Sequence, residues 1–175
     1  MQLSYYIRLL GYDARNHMDS NYLLVAPLVA RDAGLGEIGR NGILTTRKYG
    51  SRIRLGIVTT EMELIHDSKD EFGLQKFCQL CGKCTKVCPG KAIPKGDKTL
   101  VDGLLRWQIN QESCYSLWRN VGTDCGICIS SCPFSQGIGE DLIDSDDKIL
   151  YILKKYEESF GTRPYIKESP EWLKP

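Results

Sequence analysis

Cys78-Gln-Leu-Cys81-Gly-Lys-Cys84-Thr-Lys-Val-Cys88-Pro89 is the stretch that decides the fold, and Cys125-Gly-Ile-Cys128-Ile-Ser-Ser-Cys132-Pro133 repeats most of it. The first stretch has the C-x2-C-x2-C-x3-C-P spacing in which three thiolates hold one iron–sulfur cube and the fourth reaches a second cube. The second stretch lacks the first cysteine of this pattern, and Cys114 is the thiol left to supply it. The eight cysteines therefore divide into two sets of four.

The fourth ligand of each set decides how the two runs relate. If the fourth ligands cross over, as they do in two-cluster ferredoxins, two remote segments fold onto each other and the cubes come close enough for electron hopping. Pro89 and Pro133 would each end the turn that presents the preceding cysteine, because proline lacks an N–H and disfavours helix before it. The predicted ligands are Cys78, Cys81, Cys84 and Cys132 for cluster one, and Cys88, Cys114, Cys125 and Cys128 for cluster two.

Two other uses of cysteine fit the sequence less well. Zinc prefers tetrahedral sites built from two separated C-x2-C pairs, whereas the first run places three cysteines at two-residue spacing. Disulfide frameworks are typical of short secreted chains, and no apolar signal segment opens this sequence. The pattern therefore predicts two [4Fe-4S] clusters.

Length and charge limit the classes of protein to consider. A chain of 175 residues fits one domain, or a small domain with a compact cluster module. The formal net charge of +1 offers no basic surface for nucleic acid. The sequence contains neither an apolar run of about eighteen residues nor a lipidation motif, so it predicts no membrane segment. Because cysteine-held iron–sulfur centres point to a reducing compartment, we expect the chain in the cytoplasm.

The residues before the first cysteine run predict a connector, a helix and a strand. The polar segment Asp13–Asn21 is interpreted as a connector, and His17 in it as a solvated loop histidine. Apolar residues at helical spacing predict a helix at Tyr22–Ala33, which Pro27 would kink. Ser51–Thr60 alternates polar and apolar residues before an apolar run, which predicts a strand.

A glycine-dense loop follows the predicted helix. Gly34, Gly36 and Gly39 match the dinucleotide-binding string G-x-G-x-x-G, but that fingerprint needs a strand before it, and here a helical pattern precedes it. A better interpretation is a loop whose glycines let the backbone come close to a large planar or phosphorylated group, with Arg40 and Arg47 as its fixed charges. The alternative is a connecting loop with solvated arginines.

Two further helices are predicted around and after the second cysteine run. One is a short helix at Glu112–Asn120. The other lies within Gly139–Phe160, where acidic residues precede lysines, which is the charge order that a helix dipole favours. Aliphatic residues share one side of this helix, and we expect that side to dock on the cluster module. Trp107 and Trp118 flank Cys114, where they would either shield a cluster from water or pack in the core.

Three stretches resemble the corrinoid-dependent reductive dehalogenases. They are the glycine loop Ala33–Gly42, the region Lys48–Thr60 and the segment Glu71–Cys78 that leads into the cysteines. The resemblance runs without a break from about Tyr6 to Gln136. The epoxyqueuosine reductases are similar but more distant, since they share the glycine loop and the paired cysteine runs.

The resemblance implies an α+β fold in which part of a nitroreductase-like core is joined to a ferredoxin-like module with two [4Fe-4S] clusters. It also implies a base-off cobalamin beside the clusters, with electrons passing from the outer cluster to the inner one and then to cobalt, which reduces a carbon–halogen bond. Family members use a tyrosine as proton donor and a basic residue that holds the tyrosine or the substrate, and Arg40 falls where we expect this catalytic residue. The cofactor-binding residues implied in the loop are Gly34, Gly36, Gly39 and Arg40.

The sequence departs from the family before the glycine loop. The family carries a long corrinoid and substrate half there, including the catalytic tyrosine, whereas 33 residues precede the loop here. We expect residues 1–73 to be the C-terminal part of the corrinoid-binding core, residues 74–138 the cluster module, and residues 139–175 a docking helix and tail.

The function that these features favour is an iron–sulfur electron relay to a corrinoid in a reductive dehalogenase-type oxidoreductase, in a truncated or split form. One alternative is a stand-alone two-cluster electron carrier that makes no bonds, and another is a remnant that exposes an apolar interface. The expected partners are an electron donor and either the upstream half or another corrinoid protein, with no nucleic acid and no membrane segment.

Overall fold

A computed structural model describes residues 1–18, 21–137 and 143–160 of the chain. The elements in chain order are α1 (Gln2–Leu9), β1 (Ala14–His17), α2 (Ala26–Asp32), β2 (Glu37–Ile38), β3 (Leu44–Thr45), β4 (Ile57–Thr60), α3 (Leu74–Cys81), α4 (Lys83–Val87), β5 (Thr99–Val101), β6 (Leu104–Arg106), α5 (Gln111–Val121), α6 (Ile127–Ser130), a 3-10 helix (Pro133–Gln136) and α7 (Asp146–Phe160). Within the described ranges the strands form three antiparallel pairs, β1 with β4, β2 with β3 and β5 with β6. None of the helices described there has the length and apolar character needed to cross a bilayer.

The first sheet differs from the sequence prediction in both of its strands. β1 lies in the segment interpreted as a connector, and it pairs with β4 in a register that sets Ala14 opposite Thr60 and His17 opposite Ile57. The strand predicted at Ser51–Thr60 is shorter in the structure, where β4 begins only at Ile57. His17 is not a solvated histidine, because its side chain is 5% exposed and its Nε2 lies 3.0 Å from the hydroxyl of Thr59. Pairing with a distant strand is a tertiary effect that local polarity does not reveal.

Helix α2 is also shorter than predicted. It begins at Ala26, and Pro27 stands in its first turn instead of kinking it. Proline fits the first turn of a helix for two reasons. The N–H groups there have no partner within the helix, so the N–H that proline lacks is not missed, and the fixed φ of proline suits helical backbone. The helix ends at Asp32, and Gly34 follows it with a φ of +79°. α5 agrees closely with its prediction, and the side chain of Asn110 caps it by accepting from the N–H of Ser113 at 2.9 Å.

The principal hydrophobic cluster lies between α3, the 3-10 helix and α7. The rings of Phe77 and Phe134 meet edge to face with centroids 4.9 Å apart, which is a favourable aromatic geometry. α7 packs over these rings and so lies against α3 and the 3-10 helix. Leu150 of its predicted apolar side is 59% exposed and does not contribute, and Leu142, also assigned to that side, lies outside the described residues. The buried cluster consists of Phe72, Leu74, Phe77, Phe134, Ile143, Ile149, Ile152 and Tyr156.

Truncation of one α7 side chain tests how much this packing stabilises the chain. Ile149 is 0% exposed, so Ile149→Ala removes buried methyl groups and leaves a cavity. We expect the free energy of unfolding to fall by about 2–5 kcal/mol. Leu150→Ala is the matched control, because the neighbouring side chain is 59% exposed. Anaerobic thermal unfolding of both variants measures the difference, and equal shifts in the two would contradict the packing of α7 described above.

Candidate metal centres

The eight cysteines line two separate cavities, with four thiols in each. Helices α3 and α4 and the residue before the 3-10 helix bring Cys78, Cys81, Cys84 and Cys132 to the first cavity. The second cavity is lined by Cys88, Cys114, Cys125 and Cys128. Each set therefore takes thiols from both cysteine runs, and the division is the one that crossed fourth ligands require.

The backbone around the cysteines explains this placement. Gly82 and Gly126 stand at the N-termini of α4 and α6 with φ values of +56° and +59°. This left-handed conformation is readily adopted by glycine, and it turns the chain between successive C-x2-C cysteines. Cys88 and Cys132 are extended, with ψ values of 110° and 126°, which is the conformation that a following proline favours.

Burial controls the chemistry of the free thiols. It raises the pKa of Cys81, Cys84 and Cys132 to about 11 and that of Cys128 to about 12. Burial also raises the pKa of Cys78 well above its ordinary value. Thiols of this kind are protonated at neutral pH, so a metal must displace their protons when it binds.

The arrangement of the thiols fits a polynuclear centre better than a single ion. Within the described residues, no three His, Cys, Asp or Glu side chains are grouped so that they could hold one metal ion. A cubane instead takes one thiolate at each of its four irons, which spreads the ligands around the cavity. The donor set of each cavity, four cysteines, is the set that a [4Fe-4S] cluster uses.

The two cavities differ in their walls. The second has a volume of about 440 Å³ and is largely apolar, and Trp118 at its edge is 42% exposed. Trp107, in contrast, is 3% exposed and does not line the second cavity, so it packs in the interior. The apolar wall of the second cavity includes Ile43, Ile93, Ile109, Leu117, Ile127 and Ile129.

The glycine loop forms part of the wall of the first cavity. It continues into the hairpin of β2 and β3, and Gly39, Arg40 and Asn41 lie beside the four thiols. In the structure, helix α2 precedes the G-x-G-x-x-G string, and the hairpin of β2 and β3 begins within the string. A dinucleotide site instead has a strand before the string and a helix after it.

The glycines of this loop make room for the chain itself. A side chain at Gly36 would collide with the carbonyl of Thr45, and one at Gly34 with the carbonyl of Ser68. At Gly39 the nearest atom to an added Cβ would be Oδ1 of Asn41, at 2.9 Å. Close backbone packing therefore accounts for these glycines, and their predicted role at a cofactor remains a prediction.

Arg40 is buried, contrary to the interpretation of this loop as a connector with solvated arginines. Its side chain is 4% exposed, and its Nε donates to the carbonyl of Cys78 at 3.1 Å. Its Nη1 lies 3.0–3.1 Å from three successive carbonyls at residues 94–96. Arg47 is half-buried and forms an ion pair with Asp70. The predicted catalytic role of Arg40 remains a prediction, and its contacts tie it to the module.

Glu37 is a structural residue that the sequence patterns did not single out. It is 7% exposed, and its Oε2 accepts from the backbone N–H groups of Phe72 and Leu74, both at 2.9 Å. A carboxylate at this point satisfies free N–H groups and complements the positive end of the dipole of α3. An acidic residue inside a glycine loop gives no periodic signal by which this contact could be foreseen.

Comparison with known proteins gives these cavities a family context. Residues 77–136 match the family of 4Fe-4S dicluster domains. The chain is 37% identical over 144 residues to the tetrachloroethene reductive dehalogenase of Sulfurospirillum multivorans, a match that covers 78% of this chain and 28% of that protein. It is 32% identical over 120 residues to the epoxyqueuosine reductase of Lactococcus garvieae, which covers 66% of this chain and 33% of that protein.

A solved structure agrees with these matches. A reductive dehalogenase described in terms of B12-dependent dehalogenation superposes with a TM-score of 0.83 at 28% identity, covering 93% of this chain and 25% of that chain. The present chain thus spans about a quarter of the length of the reductive dehalogenases that it matches. It is homologous to reductive dehalogenases and more distantly to epoxyqueuosine reductases, and it contains a ferredoxin-like domain for two [4Fe-4S] clusters, as the sequence predicted.

Paired alanine variants test which thiols share a cluster. Under the crossed assignment Cys81 and Cys132 share cluster one, so Cys81→Ala with Cys132→Ala should lose no more iron than either change alone, leaving about four irons of about eight. Cys128→Ala with Cys132→Ala should lose both clusters, because these thiols line different cavities. Iron and sulfide are determined per chain after anaerobic reconstitution. The reverse pattern, with four irons kept by the second pair and none by the first, would show that each run holds its own cluster.

Proposed function

From the homology to part of a reductive dehalogenase, we propose that this chain is the iron–sulfur electron relay to a corrinoid in a reductive dehalogenase-type oxidoreductase. The observation that carries the proposal is the pair of four-cysteine cavities with the glycine loop packed into the wall of the first. A plain two-cluster ferredoxin does not need this loop. The retained loop therefore favours a relay that serves a second cofactor.

The two cavities suggest a direction for electron transfer. A bound [4Fe-4S] cluster accepts and returns one electron, and its potential depends on charge, hydrogen bonds to sulfur and exposure. The second cavity is bordered by Tyr115 and Trp118, which are 59% and 42% exposed, so a donor protein can approach it. The first cavity lies between α3 and the loop. We assign entry of electrons to cluster two and exit to cluster one.

The corrinoid would lie on the outer side of the glycine loop. A cavity of about 270 Å³ is found there, and Gly36 and Gly39 form part of its wall. A corrin macrocycle with its side chains is larger than this cavity, so the described residues would supply one wall and a nitroreductase-like upstream half the rest. The basic side chains that line the cavity are Arg31, Lys69, Lys98 and Arg106, and the acidic ones are Glu37, Asp70 and Glu71. Arg31 and Lys69 pair with Asp32, and Arg106 pairs with Asp102. Lys98 is therefore the basic side chain that would attract the phosphodiester of a corrinoid tail.

The remaining assignments follow from the same proposal. Residues 1–73 would complete the corrinoid-binding core, residues 74–138 would form the relay and residues 139–175 would dock on it. The partners would be an electron donor and the upstream half or another corrinoid protein. The reducing environment that free cysteines require favours the cytoplasm.

A stand-alone electron carrier is the second candidate. The observation that favours it is the accessible second cavity, which suits repeated exchange with a diffusing partner. A carrier of this kind would take up both clusters and would leave added cobalamin unchanged. The two candidates therefore differ in their behaviour toward a corrinoid and not in their clusters.

Titration with cob(II)alamin under electron paramagnetic resonance separates the two candidates. We expect the reconstituted chain to convert cobalt to its base-off signal and to saturate at about one corrinoid per chain. Lys98→Glu should weaken this binding by about tenfold, since it reverses a charge on the cavity wall. Lys155→Glu is the control, because this exposed lysine lies on α7, away from the loop. Two reducible clusters with an unchanged cobalt signal would reject corrinoid binding by this chain and leave the carrier.

A further inference from the structure

Arg40 is a buried cation that forms no ion pair with a carboxylate in the described part of the chain. Its side chain is 4% exposed. Its contacts are backbone carbonyls and the face of Trp107, whose ring centroid lies 4.5 Å from the guanidinium carbon. These contacts orient the charge but do not neutralise it. Removing a guanidinium from water without a counter-charge costs several kcal/mol.

The position of Arg40 indicates where its counter-charge would lie. Arg40 lines the first cavity together with its four thiols. Its Nε donates to the carbonyl of Cys78, whose thiol lines the same cavity, at 3.1 Å. The guanidinium charge is therefore held next to the predicted ligands of cluster one.

We propose that Arg40 is the counter-charge of cluster one and raises its reduction potential relative to cluster two. This inference rests on the proposed function, because it requires that the first cavity holds a cluster. A [4Fe-4S] cube with its four thiolates carries about −2, and reduction adds one more negative charge. A fixed positive charge beside it stabilises the reduced state more than the oxidised state.

The same contacts explain how Arg40 is held in place. Its carbonyl acceptors at Cys78 and at residues 94–96 come from both sides of the first cysteine run. Trp107 completes the enclosure, since its Nε1 donates to the carbonyl of Gly96 at 3.1 Å while its face covers the guanidinium. A side chain used in this way is turned toward the module. In this position it would hold its charge in place beside cluster one and tune the potential of that cluster.

Reduction potentials of both clusters test the proposal in the full chain. Single-cluster reference spectra come from Cys88→Ala, which leaves cluster one, and Cys132→Ala, which leaves cluster two. Arg40→Gln removes the charge and keeps a polar side chain, and Arg40→Lys keeps the charge and loses the planar fork. Lys48→Gln is the matched control, because Lys48 also lies over an aromatic ring, that of Tyr49, at 5.3 Å, but lines neither cysteine cavity.

In Arg40→Gln we expect the ratio of reduced to oxidised cluster one to fall about tenfold at a fixed potential, which is a shift of about 59 mV for one electron. Cluster two should keep its potential, both clusters should keep theirs in Lys48→Gln, and Arg40→Lys should shift less than Arg40→Gln. If Arg40→Gln instead fails to hold cluster one, recovery of that cluster in Arg40→Lys supports the role of the charge.

Two results would overturn the inference. One is an unchanged potential of cluster one in an Arg40→Gln protein with full iron content. The other is loss of cluster one in both Arg40 variants, which would assign Arg40 to backbone packing alone. Neither result touches the proposed function, which instead fails if the unaltered chain takes up no clusters.

Discussion

The packing of two remote cysteine runs against each other is the constraint on which the rest of the structure depends. Each cavity draws its four thiols from both runs, so neither run can complete a metal site alone. The chain that leaves the first run after Cys88 must therefore turn back so that Cys125 lies close to Cys88. The hairpin of β5 and β6 and the helix α5 make this return, and α5 delivers Cys114 to the second cavity on the way. Metal binding would therefore stabilise the contact between the two runs.

The glycine loop and the segment that follows it are bound to the cysteine module by polar contacts at three points. Glu37 caps the helix that carries Cys78, and Arg40 holds the carbonyls on either side of the first run. The N–H of Ser51 donates to the hydroxyl of Ser135 at 3.2 Å, just beyond the second run. These contacts are buried, where an unpaired polar group is costly, so loop and module stabilise each other.

The sequence predicted the features that depend on local chemistry. Cysteine spacing indicated the two sets of four, and the prolines after Cys88 and Cys132 marked the extended residues that precede them, because ligand spacing and proline geometry act within a few residues. It was wrong about His17 and the strand before Ile57, whose conformations depend on which segments meet across the fold. It also gave no sign of the buried contacts of Glu37, since a single acidic residue in a loop has no pattern to recognise.

The difference in burial between the two cavities creates a problem for electron transfer into the protein. The thiols of the first cavity lie beside the hydrophobic cluster, and desolvation disfavours the extra negative charge of a reduced cluster there. The second cavity is bordered by partly exposed Tyr115 and Trp118, so the same penalty is smaller. Burial alone would therefore make the inner cluster harder to reduce than the outer one, and inward transfer would be unfavourable. A buried positive charge beside the inner cluster opposes this penalty directly, and Arg40 is the residue that the fold places there.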